Sequence, residues 1–242
     1  MHQAALRVIP IHETVFIPYR LIQIMMINAD NYCLLEEKAK TLGAKSVRLI
    51  PAETIVVENR TILKCIFGCN GYGSRVCPPY IPTVDEFKKM LADYDWALLV
   101  EWKTENVFSR EVSENFVKFS VEPPENEETK KQFFENLKTV MKDRKETIQP
   151  GVLEIEKLAW TLGYNTALAT FPGMCTWCAT EDYSDVKCTR DKGPCRYPTL
   201  RRPCLMGLGV RMDKTLEKLG TPLQNFPMDD SAPVPYTLIL LD

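Results

Sequence analysis

The sequence predicts an α/β domain: a central sheet with flanking helices and two cysteine-rich metal-binding loops. Three observations carry this reading. Apolar runs of buried-strand length, such as 96–100 and 236–241, alternate along the chain with segments of helical apolar period. Hydrophobic residues make up 45% and charged residues 26% of the 242 residues, the balance of a globular chain long enough to bury a core. Eight of the 9 cysteines fall into two clusters, and each cluster directly follows a strand candidate. Loops at the carboxyl ends of strands are where α/β proteins place ligands.

The elements follow in chain order. Residues 1–29 read as an extension, expected to be poorly ordered, because they show neither turn chemistry nor a clear period. Met25 and Met26 read as alternative starts, and the apolar stretch 21–27 is short and lacks a cleavage site. The remaining 30–242 reads as one domain. Residues 31–42 form a helix with Leu34, Leu35, Ala39 and Leu42 on one face and Gly43 at the C′ position. A short strand is expected at 47–50. Strand candidates at 55–57 and 61–66 flank a turn-like Glu58-Asn59-Arg60.

Residues 83–94 form a helix opened by a capping box, Thr83-x-x-Glu86, with Phe87, Met90, Leu91 and Tyr94 on its apolar face. The run 96–100 is a buried strand. The acidic segment 122–128 reads as a solvated connection. Phe133, Phe134, Leu137, Val140 and Met141 mark an amphipathic helix. Pro150-Gly151 is expected to separate it from a second helix bearing Val152, Ile155, Ala159 and Leu162, ended by Gly163. Strands at 166–171 and 236–241 complete the sheet.

Composition excludes several classes of function. A net charge of −2 supplies no basic field for nucleic acid. No segment approaches the roughly 20 apolar residues of a membrane span. A chain of this size needs no disulfide framework, and an odd cysteine count fits one badly. The expectation is a cytoplasmic protein whose thiols stay reduced, with no nucleic-acid or membrane partner and with oligomeric state left open. No phosphate-binding glycine loop appears, and the only two histidines, His2 and His12, are too near the N-terminus for a Ser/His/Asp or Cys/His set.

The cysteines carry the chemistry. The first cluster is Cys65-x3-Cys69-x7-Cys77, followed by Pro78-Pro79; the second is Cys175-x2-Cys178-x9-Cys188-x6-Cys195, with Cys204 beyond it and Cys33 apart. Runs of thiols separated by glycine and proline let a loop bend closely around an inorganic core. Four thiolates suit a [4Fe–4S] cube or a tetrahedral zinc, and spacing alone does not choose between them. Three thiolates can hold a cube and leave one iron open to water, substrate or a remote residue such as Cys33 or Cys204. The spacing after Cys69 is not that of radical S-adenosylmethionine enzymes. Arg196, Arg201 and Arg202 are candidates to stabilise a reduced cluster, and Trp177, Tyr72 and Tyr80 to shield it.

These residues resemble the two signatures of the DUF2284 family of predicted metal-binding proteins. The first is similar to Cys65-x3-Cys69-Asn70-Gly71-Tyr72-Gly73 leading to Cys77-Pro78-Pro79-Tyr80-x-Pro82-Thr83. The second is similar to Gly173-x-Cys175-x2-Cys178, Gly193-Pro194-Cys195-Arg196-x-Pro198, Arg202-Pro203 and Gly207-x-Gly209-Val210, with Tyr236-Thr237-Leu238 and Leu240-Leu241-Asp242 at the end. The resemblance covers about residues 30–242 and implies metal binding, of iron–sulfur type, in anaerobic bacteria and archaea. It names no reaction. The chain departs from the pattern twice. Residues 179–187 separate Cys178 from Cys188 where the family keeps them close. Cys204 stands where the family has serine, so it is expected not to be a ligand.

The resulting expectation is one or two [4Fe–4S] clusters, bound by Cys65, Cys69 and Cys77 and by Cys175, Cys178, Cys188 and Cys195. They would serve electron transfer to a redox partner protein in an anaerobic pathway. A zinc-stapled interaction module is the first alternative. An enzyme that uses an open iron as Lewis acid is the second.

Overall fold

The structure, a computed structural model, describes residues 19–104, 108–189, 193–222 and 234–242. Its centre is a four-stranded sheet in the order β1-β2-β4-β3, built from β1 (Ala44–Pro51), β2 (Trp96–Trp102), β3 (Leu168–Ala169) and β4 (Tyr236–Leu241). Every pairing within this sheet is antiparallel, with Val47 opposite Val100, Leu98 opposite Ile239 and Leu168 opposite Leu240.

Side chains alternate across the sheet, so two cores form. On one face Val47, Leu98, Val100, Trp102, Ala169, Ile239 and Leu241 pack against α1 (Tyr19–Thr41) and α6 (Gln149–Thr161). On the other, Ile50, Ala97, Leu99, Leu238 and Leu240 meet α3 (Val84–Leu91), α7 (Met212–Lys218) and the loop 205–210 between them. Covered on both sides, β2 and β4 carry continuous apolar runs at 96–100 and 238–241 rather than alternating ones. No helix among the described residues is long and apolar enough to cross a membrane.

Several predicted elements form for the predicted reasons. The Thr83 hydroxyl accepts the Glu86 N–H, and the Glu86 carboxylate accepts the Thr83 N–H, closing the capping box of α3. Gly43 (φ +101°) and Gly163 (φ +99°) take left-handed conformations after α1 and α6. Leu35 and Ala39 are fully buried in α1, but Leu34 is exposed. The helix begins at Tyr19, upstream of the expected start at Asn31. His2 and His12 lie outside the described residues.

Three expectations are corrected. Residues 61–66 are not a strand: α2 (Ile62–Gly68) is helical and carries Cys65. Thr61 and Cys65, four residues apart, are buried, and Leu63, Ile66 and Phe67 are exposed. Inward anchoring at that helical spacing overrides the β-branched Thr61-Ile62 signal. Residues 55–57 form no hairpin with them. Val57 makes a single bridge to Val210, Arg211 N–H bonds the Val56 carbonyl at 2.8 Å, and Glu58 N–H bonds the Gly209 carbonyl at 2.9 Å.

Pro150-Gly151 does not break the chain. Helix α5 (Glu127–Asp143) runs through a π-helical segment, Arg144–Ile148, directly into α6. Pro150 sits in the first turn of α6, where its missing N–H is least costly. Gly151 is present for space: a Cβ there would lie 2.4 Å from Trp102 Cη2. The acidic connection is shorter than expected, because Asn126 caps α5 by accepting the N–H groups of Glu128 and Thr129. Upstream, α4 (Arg110–Val121) packs Val112 and Phe119 with Phe133 of α5, the two phenylalanine rings edge-on at 5.8 Å.

A buried ion pair ties the sheet to the cysteine-rich end. Glu156 on α6 is 1% exposed and accepts the Ala169 N–H at 2.7 Å. It also holds Arg202 through Nε, at 2.7 and 2.8 Å, and through Nη2.

Two stability predictions follow from these contacts. Gly151→Ala should cost about 1–3 kcal/mol, because Trp102 is pinned by its Nε1–H bond to Thr237 Oγ1 and cannot yield. Gly68→Ala, with open space around it, should stay within about 0.5 kcal/mol of neutral. Equal denaturation midpoints for the two variants would refute the packing argument. Arg202→Met should cost about 3–5 kcal/mol by stranding the Glu156 carboxylate, and adding Glu156→Gln should restore much of it. A loss under about 1 kcal/mol for Arg202→Met would show the pair to be dispensable.

Candidate metal centre

The first cysteine set grows from the end of α2. Cys65 lies on the helix, and the chain then coils through consecutive tight turns: Tyr72 N–H to the Cys69 carbonyl, Ser74 N–H to Gly71, Cys77 N–H to Ser74 and Tyr80 N–H to Cys77, each 3.0 Å. Gly71 is where the coil is closest. A Cβ on it would stand 3.4 Å from Cys69 Sγ and 3.6 Å from Cys77 Sγ, and also 3.0 Å from Met174 Cβ. The Gly71 N–H points at Cys69 Sγ, 3.4 Å away. Cys65 and Cys77 are buried, and Cys69 is exposed.

Cys204, one of the two remote residues considered for the first set, lies beside it. Its N–H bonds the Val76 carbonyl at 2.9 Å, so its peptide lies along the first loop. It packs with Val76 and Cys77 in one buried cluster, and it stands within electrostatic reach of Cys65. Cys33 is exposed on α1 and takes no part.

The second set converges on a small cavity lined by Cys175, Cys178, Cys188 and Cys195 together with Trp177 and Tyr197. The insertion 179–187 does not carry Cys188 away. It folds back as a miniature hairpin: Ala179 bridges Val186, Thr180 N–H bonds the Asp185 carbonyl at 2.9 Å, and Lys187 N–H bonds the Cys178 carbonyl at 3.1 Å. The Asp182 carboxylate fastens its tip by accepting the Thr180 and Ser184 hydroxyls. Beyond it, the Thr189 hydroxyl bonds the Pro194 carbonyl at 2.8 Å, and Gly193 (φ +130°) turns the chain toward Cys195.

The two sets abut. Cys175 packs against the buried cluster formed by Val76, Cys77 and Cys204. Arg75, next to Val76, crosses to the second loop by donating to the Gly193 carbonyl at 3.1 Å, with its guanidinium over the Tyr80 ring.

The helix that runs through the π segment sets this geometry, and sequence reasoning missed its three polar contributors. Gln149 is fully buried: its Oε1 accepts the N–H and hydroxyl of Thr176, both at 3.1 Å, and its Nε2 donates to the Met174 carbonyl, which clamps the peptide carrying Cys175. Arg144 is half-buried beside Cys69 and Cys204, and its guanidinium presses on Gly173, whose Cβ would meet Nη1 at 3.1 Å. Glu156 is the third. A signal existed for two of them, since Gln149 and Glu156 continue the 152–155–159 apolar stripe at helical spacing, where a polar side chain is buried and so must be bonded.

The three candidate arginines are placed differently. Arg196 is close enough to Cys178 to favour its thiolate, and Arg201 lines the second cavity. Arg202 is occupied by Glu156 and belongs to the scaffold. Of the expected shields, Trp177 does line the cavity, fixed by its Nε1–H bond to the Leu200 carbonyl, whereas Tyr72 and Tyr80 are exposed.

Electrostatics divides the thiols. Burial pushes Cys65 up to about 11 and Cys175 up to about 12, and it raises Cys178. Cys204 is lowered, by the Cys77 thiol first and then by the backbone N–H groups of Gly207 and Met206, and Cys77 is raised in return. Desolvated thiolates without a countercharge are unfavourable, and a bound cation reverses that cost. The donor set is soft sulfur throughout, and the Gly71 cradle leaves room beside two of the sulfurs, so the residues fit a thiolate-bound metal group. No three His, Cys, Asp or Glu residues among those described are arranged to hold a single metal ion.

Comparison with known proteins agrees with this chemistry. The family model for DUF2284, described as a predicted metal-binding protein, matches residues 48–241, a span that includes both cysteine sets and Cys204 and leaves out Cys33. No curated protein and no solved structure matches the chain. The chain therefore belongs to the DUF2284 family of predicted metal-binding proteins.

Proposed function

We propose that the protein is a cytoplasmic iron–sulfur protein that carries two [4Fe–4S] clusters and passes electrons to a redox partner protein in an anaerobic pathway. The observation that carries this reading is that the two thiol sets adjoin, with Cys175 of one packed against the buried cluster that holds Cys77 of the other. A pair of separate structural staples has no need to touch, whereas electron transfer favours adjacent centres. The clusters supply one-electron redox chemistry when bound.

The chain's own residues do the rest. Cys175, Cys178, Cys188 and Cys195 would hold the second cluster, and Cys65, Cys69 and Cys77 the first. Arg144, Arg196 and Lys145 stand near the sulfurs and would offset the negative charge of a thiolate-ligated cube. Lys145 is held there by its bond to the Ala179 carbonyl at 2.9 Å. Trp177 excludes water from the second site. The exposed Cys69 leaves one edge of the first site open to solvent, consistent with an oxygen-sensitive centre.

Protein purified anaerobically should be brown and contain about 8 iron and about 8 acid-labile sulfide per chain. Colourless protein with stoichiometric zinc would replace this reading with the structural module. Single serine replacements at Cys175, Cys178, Cys188 or Cys195 should each remove roughly half of the iron and leave one reduced paramagnetic signal. Loss of all metal from every such variant would mean one shared site rather than two.

A further inference from the structure

We infer that Cys204 is the fourth thiolate of the first centre, and that this centre therefore has no open coordination position. The inference rests on the iron–sulfur reading above and extends it to the question that the three-cysteine run leaves open.

Cys204 is placed as a donor, not as packing. An inert core cysteine sits among apolar side chains and makes no directed contact. Here Cys204 is buried in one cluster with Cys77 and Val76, and Cys175 packs against that cluster, so its sulfur sits among other cysteines and not in the apolar core of the sheet. Its main chain is fastened on both sides. The Cys204 N–H bonds Val76 at 2.9 Å, the Leu205 N–H bonds Phe171 at 3.1 Å, and the Phe171 N–H bonds Pro203 at 2.9 Å.

Gly207 lets that turn close. A Cβ on it would lie 3.0 Å from Pro78 Cδ and 2.9 Å from Ile81 Cδ1, so a side chain would push the turn off the first loop. Gly71 keeps the opposite side clear, between Cys69 and Cys77. Cys69 and Cys77 thus flank Gly71, Cys204 packs with Cys77, and Cys65 lies within electrostatic reach of Cys69 and Cys204, with Arg144 beside Cys69 and Cys204. The only other unassigned cysteine, Cys33, is exposed on α1.

Closure has a chemical consequence. A cube held by four thiolates has no iron that can take up water or substrate, so the first centre moves electrons and does not act as a Lewis acid.

The test compares wild type with Cys204→Ala and Cys33→Ala, all purified anaerobically, by iron and sulfide content and by the paramagnetic spectrum of the reduced protein. Cys204→Ala should lose up to roughly half of its iron, or keep a cluster whose spectrum is changed, and Cys33→Ala should match wild type. Wild-type protein is also titrated with cyanide, which needs no variant to fold; its spectrum should not move. Full iron with an unaltered spectrum in Cys204→Ala, or a cyanide-induced shift in wild type, overturns the closed site while leaving the two-cluster reading intact. Absence of iron and sulfide from wild type would instead remove the iron–sulfur reading itself.

Discussion

The cysteine-rich end of the molecule is organised by the main chain of residues 203–205. On one side the Cys204 N–H bonds Val76 of the first loop; on the other, Phe171 exchanges bonds with Pro203 and Leu205 as it leaves β3. This three-residue strip joins the sheet to both loops. Phe171 leads within a few residues to Cys175, and Val76 precedes Cys77, so a single strip sets the relative position of both thiol sets. Backbone bonds suit this task because they fix direction as well as distance. The Glu156–Arg202 pair anchors the strip to α6, and neither partner could be removed without leaving the other charged and buried.

The second organising element is the unbroken helical stretch from Glu127 to Thr161. A regular helix would present its polar residues on a slowly rotating line. The π segment at Arg144–Ile148 shifts that phase, and single π turns of this kind recur at functional sites. Here the segment turns Arg144 toward the first thiol set and Lys145 toward the second. Gln149 follows at once and clamps the peptide of Cys175. One helix therefore furnishes positive charge to both sites and holds one of them in place, while its remaining face, Val152, Ile155 and Ala159, packs on the sheet.

Much of the scaffold was legible because its signals are local. The capping box at Thr83-Glu86, the glycines at 43 and 163 and the apolar runs of β2 and β4 each specify structure through neighbours a few residues away. The misread segments are those whose conformation is imposed from a distance. Residues 61–66 carry a strand-like composition, yet they are helical because Thr61 and Cys65 must both turn inward. Pro150-Gly151 resembles a break, yet Gly151 serves the ring of Trp102, a contact between residues 49 positions apart that no local pattern announces.

The same division applies to the site. The sequence by itself determined the donor chemistry: eight clustered thiols with no histidine among them, and glycines within and beside the cysteine runs. It also determined which residues lie in each loop. Only the tertiary structure decided how the thiols are sorted. Cys204 stands nearer in sequence to Cys195 than to Cys77, but the 203–205 strip carries it to Cys77. Cys188 looked displaced by the insertion 179–187, but a hairpin brings it back. The spacing of cysteines along a chain constrains which sulfurs can share a tight turn. It does not constrain which turns meet, because that depends on backbone bonds and buried polar contacts between segments far apart in the chain.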